Sequence, residues 1–296
     1  MKLELRDYTK EANIRFGKLF TFEIEMVPFP DRRQRTIRVW LPGGYDGVRR
    51  YPVLYMHDAQ NLFDGAGEVE SKWYVDREMQ KLESEGIQVI VVGIDTSVDR
   101  GSELFPPHTP NPEHRIPRMP GAPEPTPKGH YYADFVEQTL KPIIDENFMT
   151  LTDAANTGVG GASMGGLQSF YMTMRRPEVF GRSLVFSPGF SILDRSCLSL
   201  IDEYDMERLR DVRIFSYTGD QTLDESILYP AVTVYRKLRE RGLDYMHSTL
   251  VVDCREPHYM TAWNKYFAEA VRYLFSEDNS VPMPPPRSYQ IPESGR

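Results

Sequence analysis

A serine set between small residues is the feature of this sequence most able to carry out chemistry. The stretch GASMG at 161–165 fits the G-x-S-x-G pattern, with Ser163 at its centre. Residues 155–161 predict a short strand and residues 164–176 predict a helix. A strand, a tight turn and a helix in this order expose a serine hydroxyl at a helix N-terminus, where the Met164 N–H can stabilise an oxyanion. The bare pattern is also compatible with a phosphate-binding turn or a plain connection between sheet and helix.

A nucleophilic serine requires a base, and the base requires an acid that orients it. His258 follows the strand pattern STLVV and precedes the last helical segment, so it is the predicted base, although alone it could be an ordinary loop histidine. Asp220 is the first carboxylate after the strand pattern VRIFSY and is the preferred acid, with Asp224 as the alternative. Either aspartate could instead cap a helix that starts near Ser226.

The loop after an earlier strand should supply a second N–H to the oxyanion. The stretch PVLYMHDAQNLFD places Gln60 there, with Ala59 beside it, and we predict the Gln60 backbone N–H as this donor. The same stretch carries three residues that superficially suggest a calcium loop, but the remaining ligands of such a loop are missing, so we predict no metal: Asp58, Asn61 and Asp64. His57 precedes the serine and is interpreted as structural.

The elements that must position these residues alternate along the chain. Two alternating patterns predict an antiparallel hairpin over residues 19–41. Short apolar runs then predict strands buried on both faces, and segments with helical spacing separate them: PVLYM, IQVIVVGI, SLVFS, VRIFSY and STLVV. This alternation predicts an α/β fold with a mostly parallel central sheet and helices on both faces.

Composition narrows the class of protein. The chain has 296 residues, a net charge of -8 and two cysteines, which argues against a nucleic-acid binder and a disulfide scaffold. No apolar run is long enough to span a membrane, and the N-terminal residues lack the apolar core of a signal peptide, so we expect a cytoplasmic protein.

Proline is concentrated in two places. Nine prolines fall between 106 and 127, inside a segment, 99–129, that we interpret as an insert and a candidate lid. Five more lie between 282 and 292, in a tail over 276–296, which leaves 1–275 as a single predicted domain. The insert carries four positive or titratable groups that could reach a substrate: His108, Arg115, Arg118 and Lys128.

The stretches YPVLYMHDAQNLFD, GGASMGGLQSFYMTMRRPEVFGRSLVFSPGF and EPHYMTAW resemble the putative-esterase family of α/β-hydrolases, which includes esterase D, enterochelin-esterase-like enzymes and feruloyl esterases. The resemblance covers roughly residues 19–275 and implies the α/β-hydrolase fold, a Ser–acid–His triad, a small-molecule ester substrate and no cofactor. Ser163 and His258 match the family pattern directly.

Two departures from the family pattern bear on the site. The family often has glycine at the position of Ala59, and its acid usually lies where this chain has Thr222, so Asp220 and Asp224 both stay open. The resemblance implies a serine carboxylesterase. An acyltransferase on the same scaffold and a catalytically silent binding protein are the alternatives.

Overall fold

We describe the protein from a computed structural model. The described residues are 2–64, 72–107, 116, 118, 120–193, 198, 201–202 and 205–276. Residues 277–296 of the predicted tail and two of the insert's four groups, His108 and Arg115, lie outside these ranges.

One nine-stranded sheet organises the described residues, with strand order β1-β2-β3-β5-β4-β6-β7-β8-β9. The first four strands in this order pair antiparallel, and the strands from β5 to β9 pair parallel. The strands are β1 Arg6–Asp7, β2 Lys18–Glu25, β3 Gln34–Leu41, β4 Val53–His57, β5 Ile90–Ile94, β6 Thr157–Ala162, β7 Arg182–Phe186, β8 Arg213–Thr218 and β9 Ser248–Val252.

The helices lie on both faces of this sheet. They are α1 Val75–Glu83, α2 Arg100–Glu103, α3 Gly129–Phe135, α4 Lys141–Asn147, α5 Met164–Arg175, α6 Asp224–Glu240 and α7 Met260–Phe275. A π-helical turn at Val136–Leu140 joins α3 to α4.

Alternation along the strands divides the core in two. Val53 and Tyr55 of β4 belong to the cluster formed with α3, α4, α5 and α6, whereas Leu54 and Met56 belong to the cluster with α1 and α7. Successive strand residues point to opposite faces, so an apolar run buries side chains on both. The predicted hairpin and mostly parallel sheet are therefore confirmed.

The insert begins and ends at one place on the fold. The Gly129 N–H donates to the Phe105 carbonyl over 2.7 Å, and the Lys128 N–H donates to the Ser102 carbonyl over 3.0 Å. The two ends of the segment are thus held together at α2 and the start of α3. Within the described ranges, no helix is long and apolar enough to cross a membrane.

Candidate active site

Ser163 occupies a strained turn between β6 and α5. Its φ of 59° and ψ of −122° lie where only glycine sits without cost. Its N–H donates to the Phe186 carbonyl over 2.9 Å, which ties the turn to the end of β7. A Cβ at Gly166 would stand 2.7 Å from that same carbonyl oxygen, so the start of α5 must be small to pack this closely. The predicted strand–turn–helix setting of the serine is present.

His258 forms a short contact with a buried carboxylate. Its Nδ1 lies 2.6 Å from Oδ1 of Asp224, whose side chain is fully buried, while the His258 side chain is 13% exposed. The His258 N–H donates to Thr222 Oγ1 over 3.0 Å, and the ring stands edge-on to Trp263 with centroids 5.0 Å apart. Because Nδ1 is engaged by the carboxylate, Nε2 is the ring nitrogen left for a nucleophile.

The structure brings Asp224, not Asp220, to the histidine, which corrects the preferred choice from the sequence. Asp220 Oδ1 instead accepts from the Arg255 N–H over 2.6 Å and from Gln221 Nε2 over 3.0 Å. The physical reason is the path of the chain after β8. The N–H groups of residues 220 and 221 both point to the Glu256 carbonyl, so Asp220 faces residue 255 and the chain turns before it reaches Asp224.

Gly219 makes this path possible. A Cβ at Gly219 would stand 2.1 Å from the Glu256 carbonyl oxygen, so no other residue fits there without moving the backbone. The Gly219 N–H also donates to Asp224 Oδ2 over 2.8 Å. The strand-end glycine therefore packs the two loops together and binds the Asp224 carboxylate.

Ser187 connects the acid to the serine turn. Its hydroxyl donates to Asp224 Oδ2 over 2.8 Å and accepts from Trp263 Nε1 over 2.9 Å. Ser187 directly follows Phe186, the residue that holds Ser163, and the Gly189 N–H donates to the Ser163 carbonyl over 3.0 Å. The loop after β7 thus contacts both Asp224 and the serine turn.

The residues after β4, which we call the oxyanion loop (58–60) after the role predicted for them, lie beside the serine turn. A Cβ at Gly165 would stand 3.5 Å from Asp58 Oδ2. Gln60 is fixed through its side chain, since Nε2 donates to the Thr96 carbonyl over 3.1 Å and Oε1 accepts the Thr96 N–H over 2.8 Å.

His57 lies beneath the serine turn. It is buried, and its Nδ1 is 2.9 Å from the Tyr132 hydroxyl. Burial lowers its pKa to about 4, because the charged imidazole would lose its hydration there. A neutral, enclosed His57 agrees with its interpretation as structural.

Carboxylates in this region pair with cations. Asp58 binds Arg100 through both oxygens, and Asp64 binds Arg77 at 2.8 Å. Across the described ranges no group of three or more His, Cys, Asp or Glu residues is placed to hold a metal.

Two of the insert's positive groups are also paired. Arg118 binds Glu124 at 3.0 Å, and Lys128 binds Asp99 at 2.8 Å. These ion pairs lie within the insert itself. The side chain of Lys128 therefore helps to close the insert's base.

The sequence analysis did not identify four residues whose hydrogen bonds hold the site together. Ser187 and Trp263 support the acid, and Arg100 and Lys72 bind the oxyanion loop. Ser187 and Trp263 lie in stretches that carry the family resemblance, but nothing in the sequence marks them as partners of the site, and Arg100 and Lys72 lie in no recognised motif. Only the three-dimensional path of the chain brings them to the site.

Comparison with known proteins identifies the family and the fold. A family model described as "Putative esterase" matches residues 32–235. An endo-1,4-beta-xylanase/feruloyl esterase from Xylanibacter ruminicola is 30% identical over 175 residues, which cover 53% of this chain and 20% of that protein. The uncharacterized protein YbbA from Bacillus subtilis is 22% identical over 256 residues, covering 83% of this chain and 95% of that protein.

A solved structure titled ferulic acid esterase has the same fold. Its TM-score is 0.62 at 21% identity, over 88% of this chain and 98% of that chain. The predicted α/β-hydrolase fold is thereby confirmed. Since the family model covers more than half of the chain, this protein belongs to the putative-esterase family and is an esterase.

Proposed function

We propose that this esterase cleaves carboxylic esters through Ser163, His258 and Asp224 by way of a covalent acyl-enzyme. The observation that carries the proposal is the 2.6 Å contact between His258 Nδ1 and the fully buried Asp224, joined to the serine turn through Ser187. A carboxylate held in this way fixes the imidazole tautomer and stabilises the imidazolium that forms during catalysis.

The cycle uses groups of the chain and water. Ser163 Oγ attacks the ester carbonyl while His258 Nε2 takes the hydroxyl proton. The tetrahedral oxyanion accepts hydrogen bonds from the Met164 N–H, at the start of α5, and from the Gln60 N–H. His258 then gives the proton to the departing alcohol. Water then attacks the acyl carbon and gives a proton to His258 Nε2. The bond from the acyl carbon to Ser163 Oγ breaks, His258 returns the proton to Ser163 Oγ, and the acid is released.

The insert at 99–129 forms the second part of the proposal, as a lid on one domain spanning 1–275. Its α2 base includes Arg100, which binds the oxyanion loop through Asp58. In open α/β sheets ligands bind outside the carboxyl ends of the strands, and the oxyanion loop leaves β4 at that edge. A segment that begins beside this edge of the sheet is well placed to select the ester.

The experiment that tests the proposal is hydrolysis of p-nitrophenyl acetate combined with labelling by a fluorophosphonate. Wild-type protein should turn over the ester and be labelled once, at Ser163. Ser163→Ala should lose about 10⁴- to 10⁶-fold in kcat and all labelling. The matched control, Ser84→Ala on the surface, should keep both. A Ser163→Ala protein with a tenth of wild-type activity would contradict the assignment.

The names of the relatives suggest which ester to test first as a substrate. Two of them carry feruloyl or ferulic acid esterase in their names, so methyl ferulate heads the panel of esters. Addition of an alcohol acceptor to the same assay separates hydrolysis from acyl transfer, because only transfer yields a new ester.

A further inference from the structure

The oxyanion loop is bound by two cations that lie outside its own sequence segment. Arg100, the first residue of α2, donates from Nε and Nη2 to the two oxygens of Asp58 over 2.6 and 2.8 Å. Lys72 donates from Nζ to the Gln60 carbonyl over 3.0 Å. The loop is therefore held from the insert on one side and from the segment before α1 on the other.

The Arg100–Asp58 pair is a specific geometry rather than a loose surface contact. Both side chains are mostly buried, at 20% and 12% exposure, and the bond is bidentate. Burial alone would raise the pKa of Asp58, but the adjacent guanidinium outweighs it and lowers that pKa, so the pair stays ionised. A planar fork fixes the orientation of a carboxylate, which a lysine could not do.

Asp58 needs such an anchor because its backbone is strained. Its φ of 56° and ψ of 51° place it in the left-handed region, directly before the residues whose N–H groups the reaction needs. Its carboxylate also lies against the first turn of α5, near Gly165. Fixing the side chain therefore fixes the loop against the serine turn.

Lys72 acts on the next peptide. It is 3% exposed, and desolvation lowers its pKa. Placing an ammonium in so enclosed a position costs free energy, which its bond to the Gln60 carbonyl partly offsets. The bond sets the peptide plane that follows Gln60, while the Gln60 side chain is held separately by Thr96.

We infer that Arg100 and Lys72 are positioning residues that aim the N–H groups of the oxyanion loop at the developing oxyanion. The inference rests on the proposed function, because the loop has this role only in an enzyme that forms a tetrahedral intermediate. It also links the insert to chemistry, since Arg100 belongs to the base of the insert. Both side chains act through the loop and not on the reacting atoms.

A displaced loop would weaken binding of the tetrahedral intermediate more than binding of the planar ester. Arg100→Gln should therefore lower kcat for p-nitrophenyl acetate by about 10- to 100-fold, somewhat less than the loss of a whole oxyanion donor, with KM within about threefold. Arg100→Lys keeps the charge without the fork and should fall between wild type and Arg100→Gln. Lys72→Met should also lower kcat.

The discriminating measurement is inhibition by phenylboronic acid, which forms a tetrahedral adduct with the nucleophile. Its inhibition constant should rise in each variant by the factor by which kcat falls, whereas a purely structural defect would not link the two. The matched control is Arg210→Gln, a surface arginine paired with Glu207, which should change neither. Asp58→Asn should reproduce the Arg100→Gln defect, and the double variant should be no worse than either.

The outcomes separate this inference from the proposed function. If wild-type protein neither turns over the ester nor takes the fluorophosphonate, the proposed function fails. If wild type does both while Arg100→Gln and Arg100→Lys keep kcat within twofold, the positioning role alone is overturned. Additive losses in the double variant, or a kcat loss without weaker boronic acid binding, would overturn it as well.

Discussion

The two oxygens of Asp224 have different hydrogen-bond partners. Oδ2 accepts from Ser187 Oγ and the Gly219 N–H, both over 2.8 Å, and Oδ1 is left for His258. A buried carboxylate with this many donors cannot rotate away from its partner. The position of one residue therefore determines the histidine tautomer.

Exchange of each aspartate for asparagine tests this division directly. Asp224→Asn should lower kcat by about 10⁴-fold. The amide carries no charge to stabilise the imidazolium, and with its oxygen facing the donors Ser187 and Gly219 its NH2 group faces His258 Nδ1 and favours the wrong tautomer. The matched variant Asp220→Asn should keep kcat within about threefold, since Asp220 bonds only to loop groups. Steady-state kinetics on p-nitrophenyl acetate measures both. Equal losses in the two variants would refute the assignment of Asp224.

His57 gives a second prediction at this scale. Its pKa is lowered to about 4 in the folded protein from 6.5, so the unfolded chain takes up a proton on this residue before the folded one does. The contribution of neutral His57 to the free energy of unfolding is therefore fully present above about pH 6.5 and is lost as the pH falls toward 4. Near pH 4.5 the loss should reach about 2–3 kcal/mol in the free energy of unfolding.

The measurement is urea unfolding of wild type and His57→Gln at about pH 7 and pH 4.5. Other carboxylates titrate over the same range, so the relevant quantity is the difference between the two proteins. Glutamine can still bond to the Tyr132 hydroxyl but takes up no proton, and its pH-dependent loss should be smaller. Parallel losses in both proteins would show that His57 does not titrate in this way.

Elements with strong local patterns are predictable here, and contacts between loops are not. The hairpin at 19–41 and the strands of the parallel sheet follow from apolar alternation and short buried runs. The two-residue strand β1, Arg6–Asp7, carries no such pattern because it is too short and exposed. Ser163 and His258 are fixed by neighbouring elements, whereas the choice between Asp220 and Asp224 depends on how residues 219–224 fold against Glu256.

The insert provides the prediction that belongs to the element scale. Its ends are bridged by the bond from the Gly129 N–H to the Phe105 carbonyl, so a short Gly/Ser linker can replace residues 106–127 without stretching the chain. If the segment is a lid, its replacement should affect the two esters differently. KM for methyl ferulate should rise, while activity on p-nitrophenyl acetate stays the same or increases.

The control for this replacement is the thermal unfolding midpoint, which should change little because α2 and α3 remain. If both esters respond by the same factor, the segment does not select among substrates and the lid proposal fails. The comparison of two esters within one protein removes any error in the concentration of active enzyme.

At the scale of the whole molecule, buried charged residues join the insert to the sheet at the end where β3 begins and β5 ends. Glu103 of α2 is bonded to Arg35 of β3 at 2.6 Å, with side-chain exposures of 1% and 3%. The same carboxylate accepts from Arg33 over 2.8 Å and from Ser97 over 3.0 Å. Arg35 reaches further, to the Asp95 carbonyl just after β5. This network joins residues 33–35 to residues 95–103, which are distant in sequence.

Removing one partner from such a network is costly, because it leaves a buried charge without compensation. Glu103→Gln should lower the free energy of unfolding by about 3 kcal/mol, measured in urea at neutral pH. The matched variant Glu207→Gln breaks a surface pair with Arg210 and should leave stability unchanged, because water replaces the lost partner. Since Glu103 lies on the helix that begins with Arg100, its loss should also lower kcat by loosening the anchor of the oxyanion loop. Full stability in Glu103→Gln would show that the insert is held to the sheet by apolar packing instead.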